Sequence, residues 1–415
     1  MEIMNKELFN RALDPAVYEK IQEYQDFYLL MKNCDGIHPL DYLGSLRRLY
    51  RSRKIKKSVY RKILQSAHMK GFTPGEDSAD VLLVPHLLDY DWRFSRHAIK
   101  HLCQKIRGDM PREGGTVVFI GTPSLWRFCV LNLPEKYSLV LVDINAKKHM
   151  EGLEKDNISV IEIDINKKPG YLKKISADII VMDPPWYLNY YLLFFDRANE
   201  MARIDTLIYC VMPPKFTRVT AEQEKEKLLK TLWEKYGMEK KTYRSSDVSY
   251  HTPPYEINVL KAHGIECLPP HWRVGDLLVV KKTAIGSGNT EDLTVYQEPW
   301  DEYSINSIRI KVRHSDTPIS TYSIHLKELY KNNVYPSVKR SFNGKKSINV
   351  WTSGNRVFWC DNVPLLSFIL SNWGRVWYKD EISEEERLSI GAVQTVLAEV
   401  VSVEMKEYGM KWRLR

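Results

Sequence analysis

The chain changes texture twice along its length. Up to about residue 75, apolar positions recur at helical spacing. Tyr18, Ile21, Tyr24, Phe27, Tyr28 and Met31 form one set, and Leu46, Leu49, Tyr50, Val59, Ile63 and Leu64 a second. This spacing predicts helices that bury one face. From about Val81, short and nearly continuous apolar runs take over, separated by helix-length segments. They are Thr116–Gly121, Ser138–Asp143, Ile158–Asp164, Ala177–Asp183 and Thr206–Val211, with Asp276–Lys281 as a late sixth. Buried strands alternating with helices predict a parallel α/β sheet. Beyond residue 293 the chain is rich in Tyr, Trp, Ser and Asn and ends in a helical stretch near Glu384 to Tyr408. Gly71–Gly75 and Ile285–Thr290 read as junctions. The expected organisation is a helical region over 1–75, an α/β domain over 80–284 and an α+β domain over 293–415. Neither an internal repeat nor a long low-complexity segment is evident.

Composition narrows the class. A chain of 415 residues exceeds one ordinary core, since domains run to about 100–200 residues. With 44% hydrophobic and 27% charged residues, a mostly disordered chain is excluded. The strongest apolar run, Tyr190 to Phe195, falls far short of the roughly 18–20 residues of a membrane span, so no membrane association is expected. The start, Met1-Glu2-Ile3, lacks the basic-then-apolar order of a signal peptide. The six cysteines are scattered with no CxxC pair, which points to reduced thiols in a cytoplasmic protein. His251 and His271 have no partners at metal-ligand spacing, so no metal site is expected.

Charge is concentrated. The net charge is +9, and residues 47–62 alone carry Arg47, Arg48, Arg51, Arg53, Lys54, Lys56, Lys57, Arg61 and Lys62 with no acid. The rest of the chain therefore sums to zero. Read as one helical segment, this run suits phosphates, because Lys and Arg release counterions when they neutralise a nucleic-acid backbone. Tyr50 and Tyr60 are interleaved and available for stacking on bases. A second basic stretch, Lys339-Arg340 and Lys345-Lys346 around Asn343-Gly344, reads as a hairpin tip. The charged stretch Glu222 to Glu234 reads as a solvated helix face. Trp351, Phe358, Trp359, Trp373 and Trp377 read as core rather than as a base-reading surface.

The candidate chemistry lies at Asp183-Pro184-Pro185-Trp186, followed by Tyr187, directly after a buried strand. Ligands of open α/β sheets bind at the carboxyl ends of the strands. There the Asp183 carboxylate and a proline carbonyl can each accept an N–H from an amine, turning the nitrogen lone pair toward an electrophile. The prolines stiffen the turn, and Trp186 or Tyr187 can stack on a flat base. Lys215, after the fifth strand, is a further candidate for substrate binding. Upstream, Gly121-Thr122-Pro123 closes the first strand in a tight loop. Asp143 ends the second strand, where an acid accepts hydrogen bonds from ribose hydroxyls, and Asp164 ends the third. No G-x-x-x-x-G-K-[ST] loop occurs, which argues against a nucleotide triphosphatase.

These residues carry a resemblance. Residues 80–282 resemble a class I S-adenosylmethionine-dependent methyltransferase, and Asp183–Trp186 resembles the DPPW motif of N6-adenine methyltransferases. The resemblance implies a Rossmann-like sheet, S-adenosylmethionine as cofactor, and target-amine positioning by Asp183, Pro184 and Pro185 with Trp186 closing the pocket. Cofactor roles map by order in the fold to Gly121, Asp143 and Asp164. The aromatic lead-in Asp89–Ser95, with Trp92 and Phe94, resembles a segment of these families that can close over the cofactor. The cofactor loop precedes the catalytic motif, unlike the order in the eukaryotic messenger-RNA branch. This order also looks like a family first labelled N6-adenine methyltransferase-like, some members of which methylate a protein lysine or ribosomal RNA. A fainter resemblance is to branched-chain polyamine synthases. The expected substrate is an exocyclic amine, adenine N6 of DNA or RNA first, with a protein lysine, a polyamine or a non-catalytic binding role as alternatives. The flanking segments are expected to select the substrate, and the C-terminal domain to offer a surface to a protein partner.

Overall fold

The computed structural model describes residues 2–69, 83–153, 155–167, 170–288, 295, 299–338, 347–375 and 382–410. The expected linker Gly71–Gly75, the basic hairpin tip 339–346, Trp377 and the end of the 285–290 junction lie outside these residues. Two compact units emerge. One comprises residues 1–77, 93–251 and 267–295, and the other residues 78–92, 252–266 and 296–415. The helical region thus clusters with the sheet, while the segments 78–92 and 252–266 cluster with the C-terminal part.

The first unit begins with α1 (Glu2–Glu23), α2 (Phe27–Lys32), α3 (Pro39–Arg51) and α4 (Lys57–Ala67). Leu13, Val17 and Ile21, four residues apart on α1, are fully buried, as the helical period requires. Then follow α5 (Arg96–Asp109), β1 (Gly115–Ile120), α6 (Pro123–Asn132), β2 (Tyr137–Asp143), α7 (Ala146–Met150), β3 (Ile158–Glu162), β4 (Ala177–Met182) and α8 (Leu188–Met201). β5 (Ala202–Met212), α9 (Ala221–Tyr236), β6 (Met238–Ser249) and, after the crossing α10 (Pro254–Ala262) of the second unit, β7 (Val274–Lys282) complete it. The seven strands run in the order β3-β2-β1-β4-β5-β7-β6. β1 to β5 are parallel, and β7 is antiparallel to both β5 and β6. This is the mixed α/β sheet of the class I methyltransferase fold that the sequence led us to expect.

The second unit holds α10, then β8 (Trp300–Ile305), β9 (Ile308–Arg313), β10 (Leu326–Glu328), β11 (Val350–Thr352), β12 (Val357–Cys360), α11 (Val363–Ser371) and α12 (Glu384–Glu407). Its antiparallel sheet has the order β10-β12-β11-β9-β8. Asn306 and Ser307 join β8 to β9 with both φ angles positive, the two-residue turn whose twist matches a hairpin. The long apolar stretch of the chain is α12, not Tyr190–Phe195 as the sequence suggested. α12 is long and apolar enough to span a membrane by length and composition alone. However, Ile390, Val393, Leu397, Val401 and Met405 bury one face of it in this unit's core. Trp351 and Phe358 are buried, whereas Trp359 is exposed.

Candidate active site

The sheet register assembles the site. Ile120 pairs with Val142 on one side and Met182 on the other, so Gly121, Asp143 and Asp183 leave the sheet abreast. Neighbouring strands lie about 4.8 Å apart. The chain steps from β1 outward to β2 in one direction and to β4 in the other, so the crevice above β1 and β4 is the topological switch point where ligands of such sheets bind. Glu162, the last residue of β3, stands in this row beside Asp143, so Asp164, expected to end the strand, lies two residues beyond it.

Gly121 has φ +64, a left-handed conformation that glycine adopts without strain. Its N–H donates to the Val142 carbonyl (3.0 Å). Thr122 is buried, and its Oγ1 has no hydrogen-bond partner among the described residues. α6 begins at Pro123 with no side-chain cap, leaving its first-turn N–H groups open to an external acceptor. Asp143 accepts the Asn145 N–H at 2.7 Å. Asp164 accepts the N–H groups of the Asn166 backbone (3.0 Å) and side chain (3.1 Å). The loop after Asp164 is tied down from behind: the buried Arg197 of α8 donates to the Ile165 carbonyl at 3.1 Å. A nucleoside cofactor fits this set: an open loop, an orphan hydroxyl and an acid on each of the next two strands.

Asp183 is gripped from above. The Tyr250 hydroxyl lies 2.8 Å from both carboxylate oxygens, and the Trp186 side chain is a second hydrogen-bond partner. Burial pushes the Asp183 pKa up to about 7, against these hydrogen bonds and the positive charge of Arg273, which pull it down. Tyr250 is 1% exposed. Burial, reinforced by the Asp183 charge, raises its own pKa and keeps it a hydroxyl donor. Its position follows from β6. Ser95 N–H donates to Ser249 O (2.8 Å), His251 N–H to Arg93 O (2.8 Å) and Tyr250 N–H to Arg273 O (2.9 Å). Phe94 of the aromatic lead-in therefore packs on Tyr250, ring centres 5.3 Å apart. Within the second unit, the Trp92 indole N–H donates to Glu256 at 3.0 Å.

The rest of the tetrad forms a wall. Pro184 is buried, and the Pro185 carbonyl accepts the Tyr187 N–H at 2.6 Å. The Trp186 ring meets Tyr250 edge-on at 5.6 Å, with the Arg273 guanidinium 5.6 Å from its centre. A Cβ on Gly275 would clash with Val211 Cγ1 at 2.6 Å and crowd Trp186 Cζ2 at 3.3 Å, so glycine here leaves room beside the indole. Tyr187 precedes α8 and carries the Arg218 guanidinium 5.2 Å above its ring. Arg218 is ion-paired with Glu224, which also accepts the Leu188 N–H at 3.2 Å. Lys215 is exposed, and its ammonium lies 5.4 Å over Phe216. It follows β5 at the same end of the sheet, without a contact to the tetrad among the described residues.

Tyr250, Arg218, Arg273 and Gly275 were not singled out from the sequence. Tyr250 and Arg273 stand in two Pro-rich stretches, 250–255 and 269–273. Nothing in the sequence separated them from their neighbours.

The basic run departs from expectation in three ways. It is not one helix but the end of α3, a turn at 52–56 and the start of α4. Arg48 is spent on Asp14, with Nη2 at 2.7 Å and Nε 3.1 Å from both oxygens, which removes it from the phosphate-binding set. Tyr50 and Tyr60 stack on each other, centres 4.5 Å apart and planes 7° apart, rather than standing open to bases. Arg47, Arg51, Arg53, Lys54, Lys56, Lys57, Arg61 and Lys62 are exposed.

No protein-family model matches the chain, and no curated protein matches it. Solved structures do. A branched-chain polyamine synthase mutein from Thermus thermophilus, in complex with N4-aminopropylspermidine and 5'-methylthioadenosine, is 12% identical over 69% of this chain and 94% of its own, with a TM-score of 0.48. The parent synthase is 14% identical over 49% of this chain, with a TM-score of 0.39, and the match spans 60% of that protein's length. A candidate RNA methyltransferase from Pyrococcus horikoshii is 17% identical over 53% of this chain and 96% of its own, with a TM-score of 0.35. At these identities the likeness is one of fold. The fold assignment itself rests on strand order and register.

Proposed function

We propose that this chain transfers a methyl group from S-adenosylmethionine to an exocyclic amine, adenine N6 of a nucleic acid. The carrying observation is the Asp183 carboxylate, fixed at both oxygens by Tyr250 and set beside the Gly121 loop by the register of β1 and β4.

In this reading Gly121, Thr122 and the start of α6 hold the cofactor's polar end, and Asp143 and Asp164 meet its ribose and adenine. The cofactor supplies an electrophilic methyl. Asp183 accepts one N–H of the target amine and the Pro184 carbonyl the other, the Pro185 carbonyl being occupied by Tyr187. The amine then presents its lone pair in line with the methyl, so most of the rate gain is positional. Trp186 forms the stacking wall. With the cofactor bound, the new N–CH3 bond would form as the sulfonium–methyl bond broke, S-adenosylhomocysteine would leave, and the amine nitrogen would shed a proton. With a pKa near 7, Asp183 is matched to accept it at neutral pH. A base within a duplex would have to be flipped out of the stack.

Lysine and polyamine acceptors are the rival reading. The charge of Arg218 over Tyr187 is matched by Glu224, whereas Arg273 over Trp186 puts a positive charge beside the tetrad, which disfavours an acceptor that arrives as a cation. The same charge suits a base carried on a phosphodiester strand, and the exposed cations of the α3–α4 elbow would grip that strand. The test offers labelled cofactor to mixed nucleic acid, protein and spermidine side by side. Label on nucleic acid, abolished by Asp183→Ala, supports the reading. Label on protein or spermidine sinks it.

A further inference from the structure

Between α1 and the elbow that joins α3 to α4 lies a notch of about 330 Å³, lined by Asp14, Pro15, Tyr18, Leu49 and Lys54. The methyl-transfer chemistry makes no use of it. Its volume is at the low end of what small-ligand sites enclose, roughly 300–1,000 Å³.

The walls define what fits. Leu49, 1% exposed, gives an apolar floor, and Tyr18, 38% exposed, presents a ring on the rim. The Asp14 carboxylate is matched by the Arg48 fork and by the Ser45 hydroxyl at 2.6 Å. Lys54 is exposed and has no ion-pair partner among the described residues. Its backbone is fixed, because Arg53 takes the turn at φ +61 and the Lys54 N–H donates to the Leu49 carbonyl at 2.9 Å. The site therefore offers a flat face, an apolar floor and one uncompensated cation, at the margin of a cluster of exposed cations. A bare anion would leave the ring and floor unused and would meet the Asp14 carboxylate. A duplex keeps its bases stacked and cannot offer one to the ring.

We propose that this notch takes one unstacked base of a single-stranded nucleic acid, with the base on Tyr18 and its phosphate at Lys54. The proposal rests on the reading that the substrate is a nucleic acid, and it narrows that reading to a strand with unpaired bases.

The experiment measures fluorescence anisotropy of the full chain with a labelled single-stranded oligoadenylate, and with a blunt duplex of equal length, across a salt series. Tyr18→Ala should weaken single-strand binding about 5- to 150-fold, the loss of one base–aromatic stack of roughly 1–3 kcal/mol. The salt slope and the duplex affinity should stay unchanged. Tyr18→Phe should restore the affinity, which separates stacking from misfolding. Lys54→Ala should instead lower the salt slope by about 0.7. Parental affinity in Tyr18→Ala, alongside weak binding by an Arg51, Arg53, Lys56 and Lys57 alanine variant, would overturn the notch and leave the nucleic-acid reading intact. Parental binding by that elbow variant as well would overturn both. Competition by adenosine monophosphate that depends on Tyr18 at micromolar concentration would show a free-nucleotide site and overturn the strand assignment.

Discussion

Tyr250→Phe separates charge control from bulk at the candidate site. The substitution keeps the ring that packs on Phe94 and Trp186 and deletes only the hydroxyl that reaches both Asp183 oxygens at 2.8 Å. That hydroxyl favours the charged carboxylate against the burial that pushes its pKa up to about 7. A hydrogen bond to a charged group contributes about 1.5–3 kcal/mol, or about 1–2 pH units at 1.36 kcal/mol per unit. The Asp183 pKa should therefore rise further. Since the carboxylate is the active form, the ascending limb of kcat/KM, centred near pH 7 in the parent, should move to higher pH by that amount. At pH 7 the ionised fraction falls from about a half to roughly 1–10%, so kcat/KM should drop about 5- to 50-fold. Activity should recover toward pH 9.5, and any residual loss there measures the positional part of the contact. The assay is label transfer to oligonucleotide between pH 5.5 and 9.5. A limb that stays near pH 7 in Tyr250→Phe would refute the argument that this hydroxyl sets the charge state of Asp183.

Four further outcomes follow from the same structure. Asp183→Asn should abolish transfer while stabilising the fold at alkaline pH. The parent's carboxyl is raised to about 7 in the folded state, so its stability falls as pH climbs from the unfolded value through 7. Urea denaturation should show the gap widening from about pH 4 to pH 7 and level above; a gap that widens toward acid would contradict this. Gly121→Ala forces a side chain into φ +64 at a cost of about 1–2 kcal/mol. With Phe194 at an ordinary 3.5 Å from the new Cβ, strain rather than a clash should weaken cofactor binding in calorimetry, and unchanged affinity would remove the loop from the site. Glu404→Ala strips a buried carboxylate from Arg356 (3.2 Å), Gly354 N–H (2.7 Å) and the Thr352 hydroxyl. Arg356 keeps its pair with Glu407 at 2.6 Å, so the cost in denaturation should be that of the unpaired Gly354 N–H and Thr352 hydroxyl, about 2–4 kcal/mol, and a cost below about 1 kcal/mol would show the network to be dispensable. Replacing Arg51, Arg53, Lys54, Lys56 and Lys57 with alanine should lower the salt slope of single-strand binding by up to about 3.5, with cofactor affinity unchanged.

What the sequence disclosed follows from burial. β1, β2 and β4 are central strands, apolar on both faces, and their runs could be read with nearly correct ends; of β5 (Ala202–Met212) only the buried part from Thr206 was read, because Arg203, Ile204 and Asp205 are exposed. β6 was missed: Met238–Ser249 is an edge strand whose residues are mostly polar and solvent-facing, so neither alternation nor an apolar run marks it. That omission hid the best-placed residue of the site, because Tyr250 owes its position to the end of β6. The row formed by Gly121, Asp143 and Asp183 was legible because each immediately follows a buried run. Arg48 shows the opposite limit. Its charge was plain, but its partner Asp14 lies 34 residues away and only the packing of α1 on α3 brings them together. Tyr50 and Tyr60 likewise face each other only because a turn at 52–56 folds α4 back toward α3.

The central claim is transfer to the amine of a nucleic-acid base, positioned by Asp183. The most direct measurement is mass spectrometry of nucleosides after incubating the full chain with mixed DNA and RNA and methyl-labelled S-adenosylmethionine. The account predicts label on the N6 amine of adenine with the parent protein and none with Asp183→Ala, at equal cofactor affinity. Unlabelled nucleosides, with label recovered on lysine or polyamine, or label that survives Asp183→Ala, would contradict it.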